Sequence, residues 1–210
     1  MALGDSYASL ALLKTRLGIT DTNDDVTLTN ALAVATQDIE GYCGRQFNLA
    51  TAPSARIYRP VSTSLCLIDD VANLTGFALA TDQSDAGVFG TAWLTSDYET
   101  EPRNGIVDGT PGWPFWRLRS VGTKWFYYYP YFDYYSLRRS PVQVTATWGW
   151  TTVPSPVVEA CLALAEETYK MKDAPFGVMG FDQYGPVRVK QNPKVAMMLE
   201  RYRRRPVKAG

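Results

Sequence analysis

The sequence predicts an α+β fold in which a helical bundle carries a β-rich insertion. Apolar residues recur at three- and four-residue steps near both ends of the chain, which is typical of amphipathic helices. From about Phe47 the pattern changes to short stretches rich in β-branched and aromatic residues, separated by Gly- and Pro-containing turns. We therefore predict a discontinuous helical bundle of residues 1–48 and 152–205, a β-rich inserted subdomain of residues 49–151, and a tail of residues 206–210.

Two helices are predicted before the insertion. The first has an apolar face, and the second has a longer one that returns at steps of four, three, four and three residues. Two such helices cannot bury both faces on each other, so they need the C-terminal helices to close a bundle. The apolar residues are Tyr7, Leu10, Leu13 and Leu17, then Leu28, Leu32, Ala35, Ile39 and Tyr42. We expect the first helix to be capped by Asp5 or Ser6 and to end at Gly18. The second helix is expected to start near Asp24 or Asp25, and Gly41 and Gly44 mark its end.

The clearest helix of the chain is predicted from Pro154 to Lys172. Ser155 can cap it, and Pro156 suits the first helical position, where a missing N–H costs nothing. Glu166 and Lys170 are spaced for a favourable charge pair on one face of the helix. The stripe expected to be buried is Val158, Cys161, Leu162, Ala165 and Tyr169.

A last short helix is predicted to start with Asn192 as its cap and Pro193 as its first residue, and Pro206 stops it. Residues 173–191, before it, are too rich in Gly and Pro for regular structure, and a loop this long is usually functional or mobile. In the insertion, we expect the first strand pair to be a hairpin of residues 55–61 with residues 64–68.

Composition excludes several classes of chemistry. The chain has no histidine, which removes the commonest general base and the commonest metal ligand. Its three cysteines are widely spaced, so we expect small buried residues in a reducing compartment rather than disulfides or a metal site. No catalytic motif is present, and the adjacent pairs Asp69–Asp70 and Glu166–Glu167 are interpreted as solvated charges. We predict no enzyme activity, no cofactor, no metal, no signal peptide and no membrane span.

One segment of the insertion, residues 113–135, contains twelve aromatic residues. One face of a sheet buries only alternate side chains, so consecutive aromatics must point both ways and one set needs a cover. That cover could be another subunit, a sugar or a peptide, and the alternative is a two-layer core covered by the chain itself. The candidates for a subunit interface are Trp116, Trp125, Tyr127, Tyr129 and Tyr131.

Charge is distributed unevenly along a chain whose formal net charge is zero. Residues 1–100 carry five Lys/Arg and twelve Asp/Glu, whereas residues 101–210 carry sixteen and nine. This polarity suits contacts between copies, although two unrelated solvated surfaces would give the same counts. The basic end of the chain, around Arg201, Arg203, Arg204 and Arg205, can bind phosphates or an acidic protein surface.

The two ends of the sequence resemble the head–tail connector (adaptor) proteins of long-tailed bacteriophages. The first helices end in a signature of the form E-x-Y-x-G-R-x-F, here Glu40, Tyr42, Gly44, Arg45 and Phe47. The segment GWTTVPSPVVEACLALAEETYKMKDAPFG and the basic end resemble the second half of longer family members. The β-rich insertion departs from the minimal, mostly helical members, so the resemblance assigns no role to its aromatics.

The resemblance implies a structural virion protein. Such proteins form a ring, usually of twelve copies, beneath the portal, and they pass double-stranded DNA without reading its sequence. Their C-terminal segments dock on the portal, which makes the four arginines of the basic end portal-docking candidates, and the other face receives a tail or stopper protein. The implied location is the head–tail junction of the virion, with the host cytoplasm during assembly. The alternatives are another tail-completion protein and an aromatic-rich ligand-binding module.

Overall fold

The structure, a computed structural model, describes residues 3–83, 86–128, 141–173 and 192–204. Within these ranges, four α-helices and a six-stranded antiparallel sheet make up a mixed α+β fold, so the predicted fold class is confirmed at this level. The described residues divide into two compact units. One combines Leu3–Asn48 with the described part of Thr152–Gly210, and the other is Leu49–Thr151. We call them the helical unit and the β unit.

Helix α1 (Leu10–Leu17) begins later than predicted, so Asp5 or Ser6 as its cap is wrong. Ser9 is the N-cap, and its side chain accepts a hydrogen bond from the Leu12 N–H. The preceding backbone is already used elsewhere, because the Tyr7 N–H donates to Thr36 Oγ1 over 3.2 Å. Gly18 ends the helix in the left-handed region at φ 70°, as predicted.

Helix α2 (Asp25–Cys43) follows the predicted seam closely. Asp24 is its N-cap, and Gly44 ends it at φ 63°, where a residue without a Cβ is favoured. The predicted face is confirmed except at Tyr42, which is half-buried. The residues buried along the helix are Leu28, Ala31, Leu32, Ala35, Thr36, Ile39 and Cys43.

Helix α3 (Ser155–Lys170) has Pro154 as its N-cap, so the cap predicted at Ser155 is wrong. The reason is that the Pro154 carbonyl already accepts the first helical bonds, from the amides of Val157 and Val158. The buried face is also rotated from the predicted stripe, since Val158 and Tyr169 are only half-buried. The predicted Glu166–Lys170 pair is confirmed, with a separation of 2.5 Å. The buried residues are Val157, Ala160, Cys161, Leu162, Leu164 and Ala165.

Helix α4 (Pro193–Glu200) starts as predicted, with the Asn192 side chain accepting from the Val195 N–H over 3.2 Å. It ends at Glu200, well before the predicted stop at Pro206, which lies outside the described residues. Residues 174–191, nearly all of the predicted loop before this helix, also lie outside them.

The sheet has the order β1-β6-β2-β5-β4, with β3 paired to one end of β2. The predicted hairpin of residues 55–61 with 64–68 is wrong, because β1 pairs with β6 over the register Ser54↔Ala146 to Tyr58↔Val142. β6 is a central strand with alternate buried residues, so it takes a partner on each side, and β1 fills one of these places. The strands are β1 (Ser54–Tyr58), β2 (Leu65–Thr81), β3 (Thr91–Trp93), β4 (Tyr98–Glu101), β5 (Phe115–Ser120) and β6 (Val142–Trp148).

Among the described residues, three half-buried carboxylates have a pKa lowered by a cation beside them. A carboxylate of this kind stabilises the fold in full above its ordinary pKa, which is 3.8 for Asp, and the contribution is lost as pH falls through the lowered value. The pairs are Asp24 with Lys172, Asp97 with Lys124, and Glu166 with Lys170 and Arg16.

We therefore expect the free energy of unfolding to vary little around neutral pH, since the chain has no histidine, and to fall below about pH 4. Urea denaturation at a series of pH values measures this. Asp97→Asn should flatten part of the acid slope, because it removes one of the groups that titrate. A denaturation midpoint that moves strongly between about pH 6 and 8 would contradict this expectation.

Candidate assembly surfaces

The C-terminal end of α2 is organised around the hydroxyl of Tyr7. This hydroxyl donates to Glu40 Oε1 over 2.7 Å and accepts from the Phe47 N–H over 3.0 Å. Tyr7 and Phe47 are fully buried, and their rings meet edge to face with centroids 5.6 Å apart. Burial raises the pKa of Tyr7, so its hydroxyl stays protonated and can keep donating. Two residues of the signature, Glu40 and Phe47, are thus joined by a tyrosine from outside it.

The basic end of the chain returns to this same end of α2. The Arg204 N–H donates to the Cys43 carbonyl over 2.8 Å, and the Tyr202 ring meets Phe47 edge to face at 5.9 Å. The guanidinium of Arg203 lies over the Tyr42 ring, 5.4 Å from its centroid. Cations here also face the negative end of the α2 dipole, which is favourable.

The predicted portal-docking arginines therefore do not form one uniform group. Arg201 and Arg203 are exposed, whereas Arg204 is half-buried and its backbone is bonded to α2. Arg205 lies outside the described residues. The sequence indicated the cluster of charge but not that its first residues belong to the packed part of the helical unit.

The predicted aromatic candidates separate into a packed set and an exposed one. Trp116 is half-buried and contacts Trp113, whose ring in turn lies 5.1 Å from that of Trp150. Trp125, by contrast, is 60% exposed, and Tyr127 is half-buried. Tyr129 and Tyr131 lie outside the described residues. Trp116 therefore belongs mainly to a cluster within the β unit, and Trp125 faces solvent.

Trp125 is presented to solvent because its neighbour is anchored. The Phe126 ring is fully buried and stacks on Trp93 with centroids 4.7 Å apart, and the Phe126 N–H donates to the Thr63 carbonyl over 2.8 Å. The expectation that consecutive aromatics point both ways is confirmed for this pair. Beside them lies a small pocket of about 110 Å³, lined by Gln83, Trp93, Thr123, Lys124, Trp125 and Tyr127.

Two further exposed apolar side chains, missed by the sequence analysis, lie on segments connected to the one that carries Trp125. Leu94 is 68% exposed and Val121 is 37% exposed. Asp97 connects their loops, since its carboxylate accepts from the Leu94 N–H over 2.7 Å and its carbonyl accepts from the Val121 N–H over 2.8 Å. The same carboxylate pairs with Lys124, 2.7 Å away. We call Leu94, Val121 and Trp125 the apolar edge, and the ion pair holds its loops together.

Asp70 is buried, so the expectation that it is a solvated charge is wrong. It is 4% exposed, and its carboxylate accepts from the Trp150 indole N–H over 3.0 Å. Its neighbour Asp69 points the other way and accepts from Arg56 over 2.6 Å and from the Tyr58 hydroxyl over 3.0 Å. Adjacent residues of a strand face opposite sides of the sheet, which explains the difference.

Reactive groups are sparse among the described residues. In that part of the chain, no group of three or more Cys, Asp or Glu side chains is placed to hold a metal ion. All three cysteines are buried as predicted, and burial raises the pKa of Cys43 and of Cys66 to about 12, so both stay thiols. Across the same residues, no helix combines the length and the apolar character needed to cross a membrane. Packing and charge, rather than reactive chemistry, distinguish the surfaces.

The region that contains Tyr7 and the signature matches a known protein family. Residues 7–74 match the family described as phage gp6-like head-tail connector protein. The resemblance to the head–tail connector family is confirmed. The match includes α1, α2, β1 and the start of β2. No curated protein sequence matches the chain.

Solved structures of gene transfer agent particles share the fold over nearly the whole chain. A chain of the structure titled "Neck of empty GTA particle computed with C6 symmetry" has a TM-score of 0.57 at 20% identity, with 97% of this chain and 93% of that chain covered. A chain of the neck of the native particle, computed with C12 symmetry, has a TM-score of 0.55 at 19% identity, with 97% and 92% covered. A chain of the virion of the native gene transfer agent particle has a TM-score of 0.53 at 18% identity, with 100% and 95% covered. The family match covers residues 7–74, and the likeness to these structures extends the shared fold over the rest of the chain.

Proposed function

We propose that the protein is a head–tail connector subunit that assembles into a ring between the portal and the next tail or stopper protein. The observation that carries this proposal is the family match over residues 7–74, which includes the whole signature at the end of α2. The ring lines a channel that double-stranded DNA passes through during packaging and ejection, and the subunit works without enzymatic activity or cofactor. Before assembly into the virion, the subunit is located in the host cytoplasm.

Twelve copies are the proposed number. Necks with the same fold were computed with C6 and C12 symmetry, and both suit a ring of twelve. In a closed ring each copy presents two different surfaces to its neighbours, which suits a chain with an acidic first half and a basic second half. Trp116, Trp125, Tyr127, Tyr129 and Tyr131 remain the proposed interface residues, and the apolar edge extends this group. The basic end, with Arg201, Arg203, Arg204 and Arg205, is proposed to dock on the portal.

Assembly in the presence of portal tests the proposal. We expect light scattering and electron microscopy of the mixture to detect ring-sized particles. Trp125→Ala should weaken assembly at least about tenfold, because a large exposed aromatic of this kind is typical of an interface hot spot. Val88→Ala is the matched control, since Val88 is also an exposed apolar residue of the β unit but lies outside the apolar edge.

Two results would count against the proposal. If the wild-type chain does not associate with portal under any salt condition, the connector role is wrong. If Trp125→Ala and Val88→Ala assemble equally well, the connector role stands but Trp125 is not part of the interface.

A further inference from the structure

The last described residues of the chain, Arg201–Arg204, are held against the helical unit at a defined place. We call them the strap. The Cys43 carbonyl belongs to the last turn of α2, where carbonyls have no partner within the helix, and the Arg204 N–H supplies one at 2.8 Å. Gly44, the next residue, ends α2 at φ 63°, and Arg204 lies within ordinary van der Waals distance of it, since a Cβ at that position would lie 3.7 Å from Arg204 Cβ. The strap thus completes the C-terminal end of α2.

Side chains fix the strap from a second direction. Tyr202 contacts Phe47, which is buried and whose N–H is held by the Tyr7 hydroxyl. Tyr7 is itself held at both ends, by Thr36 at its N–H and by Glu40 at its hydroxyl. A continuous series of buried contacts therefore runs from the middle of α2 to Tyr202.

A third set of contacts holds Arg203, the strap residue between Tyr202 and Arg204. Arg203 lies over the Tyr42 ring, and the Tyr42 hydroxyl donates to Glu200 Oε2 over 3.1 Å, at the end of α4. Arg203 also lies 3.8 Å from the Glu200 carboxylate. These exposed contacts are individually weak, but they hold Arg203, which lies between Tyr202 and Arg204 in the strap.

We infer that Tyr7, Glu40, Tyr42, Cys43 and Phe47 form a socket that fixes the place and direction in which the basic end leaves the helical unit. This inference rests on the proposed function, because it makes the socket a positioning device for the portal-docking arginines. The signature residues of α2 then contact portal only indirectly, through the strap.

The physical benefit is preorganisation. A basic end that is held at a fixed point loses less conformational freedom on docking than one that is free from the end of α4 onward. In a ring, every copy would present its basic end at the same place. Once one basic end docks, the others meet their sites at a high effective concentration.

The experiment uses the full chain and the variant Tyr202→Ala, with Tyr202→Phe as the conservative variant that keeps the ring against Phe47. Trypsin cleaves after arginine, so cleavage at Arg201, Arg203 and Arg204 reports release of the strap. We expect Tyr202→Ala to raise this cleavage rate at least about tenfold and to weaken portal binding by a similar factor, while Tyr202→Phe stays close to wild type.

Met197→Ala is the matched control, because Met197 is a highly exposed residue of α4 that contributes nothing to the socket. It should change neither cleavage nor binding. Circular dichroism and the urea midpoint verify that each variant is folded before either assay is read. A purely structural role for the socket would move the urea midpoint of Tyr202→Ala without changing portal binding, so the two assays together separate positioning from stability.

Each outcome decides a different question. Equal cleavage of wild type and Tyr202→Ala overturns the socket, and faster cleavage with unchanged portal binding overturns its positioning role. If wild type itself does not bind portal, the connector proposal fails, and the cleavage comparison still decides whether the socket holds the strap.

Discussion

Replacing Trp148 by alanine is expected to lower the free energy of unfolding of the β unit by about 3–5 kcal/mol, the range for removing a large buried aromatic. Trp148 is 1% exposed and lies at the end of β6. Its indole N–H donates to the Ser54 carbonyl over 2.9 Å, and the Arg56 guanidinium lies 4.6 Å from its ring centroid. Alanine loses all of these contacts and leaves a cavity that the surrounding strands fill only in part.

Urea denaturation followed by circular dichroism measures the effect. Trp125→Ala is the control, because it removes the same ring from a position that is 60% exposed, and we expect it to cost less than about 1 kcal/mol. Trp148→Phe should fall between the two, since it keeps a ring but loses the hydrogen bond to Ser54. If Trp148→Ala and Trp125→Ala unfold at the same urea concentration, the central place assigned to β6 in the sheet is wrong.

The helices were predicted well because their signals are local. Gly18 and Gly44 end their helices in the left-handed region, and Asn192 caps α4, as short stretches of sequence indicate. The errors arose where a distant partner competes with a local signal. Asp5 and Ser6 are residue types that often cap the N-terminus of a helix. The neighbouring Tyr7 N–H, however, donates to Thr36, which is far away in sequence.

Strand pairing shows the same limit more clearly. Residues 55–61 and 64–68 are neighbours in sequence and look like a hairpin, yet β1 pairs with β6, about ninety residues further on. Alternation of apolar residues indicates that a strand has a buried face, but it does not specify which strand lies beside it. The burial of Asp70 was missed for a related reason, because its partner Trp150 is eighty residues away.

Composition indicated which segments carry the candidate surfaces, but it did not indicate which of their side chains are packed and which are exposed. Runs of aromatics and arginines correctly indicated two unusual segments, but the sequence could not separate Trp116, which packs within the β unit, from Trp125, which is exposed. The role of Tyr7 was also missed, since an apolar face at helical spacing says nothing about where a hydroxyl donates. The alternation of Trp125 with the buried Phe126 was the one geometric feature that the pattern did contain.

Reversing the charge of two of the proposed docking arginines is expected to abolish docking on portal. The substitution we choose is Arg201→Glu with Arg205→Glu, and it omits Arg204, because the side chain of that residue is half-buried. Each copy in a ring would then present two repulsive charges to an acidic surface, and the loss multiplies across copies, so we expect at least about a hundredfold weaker binding. The fold should be unaffected, since surface charge changes usually shift stability by less than about 0.5 kcal/mol.

The control must change net charge equally without touching the basic end. Arg59→Glu with Lys194→Glu does so, because both residues are exposed and neither belongs to the strap or the socket. Surface plasmon resonance with immobilised portal, between about 50 and 500 mM salt, measures the difference, and wild-type binding should weaken as salt screens the contact. Docking of the Arg201→Glu/Arg205→Glu chain at physiological salt with wild-type strength would mean that the basic end only solubilises the protein. Equal loss in the control would mean that portal responds to net charge and not to the place where the arginines leave the helical unit.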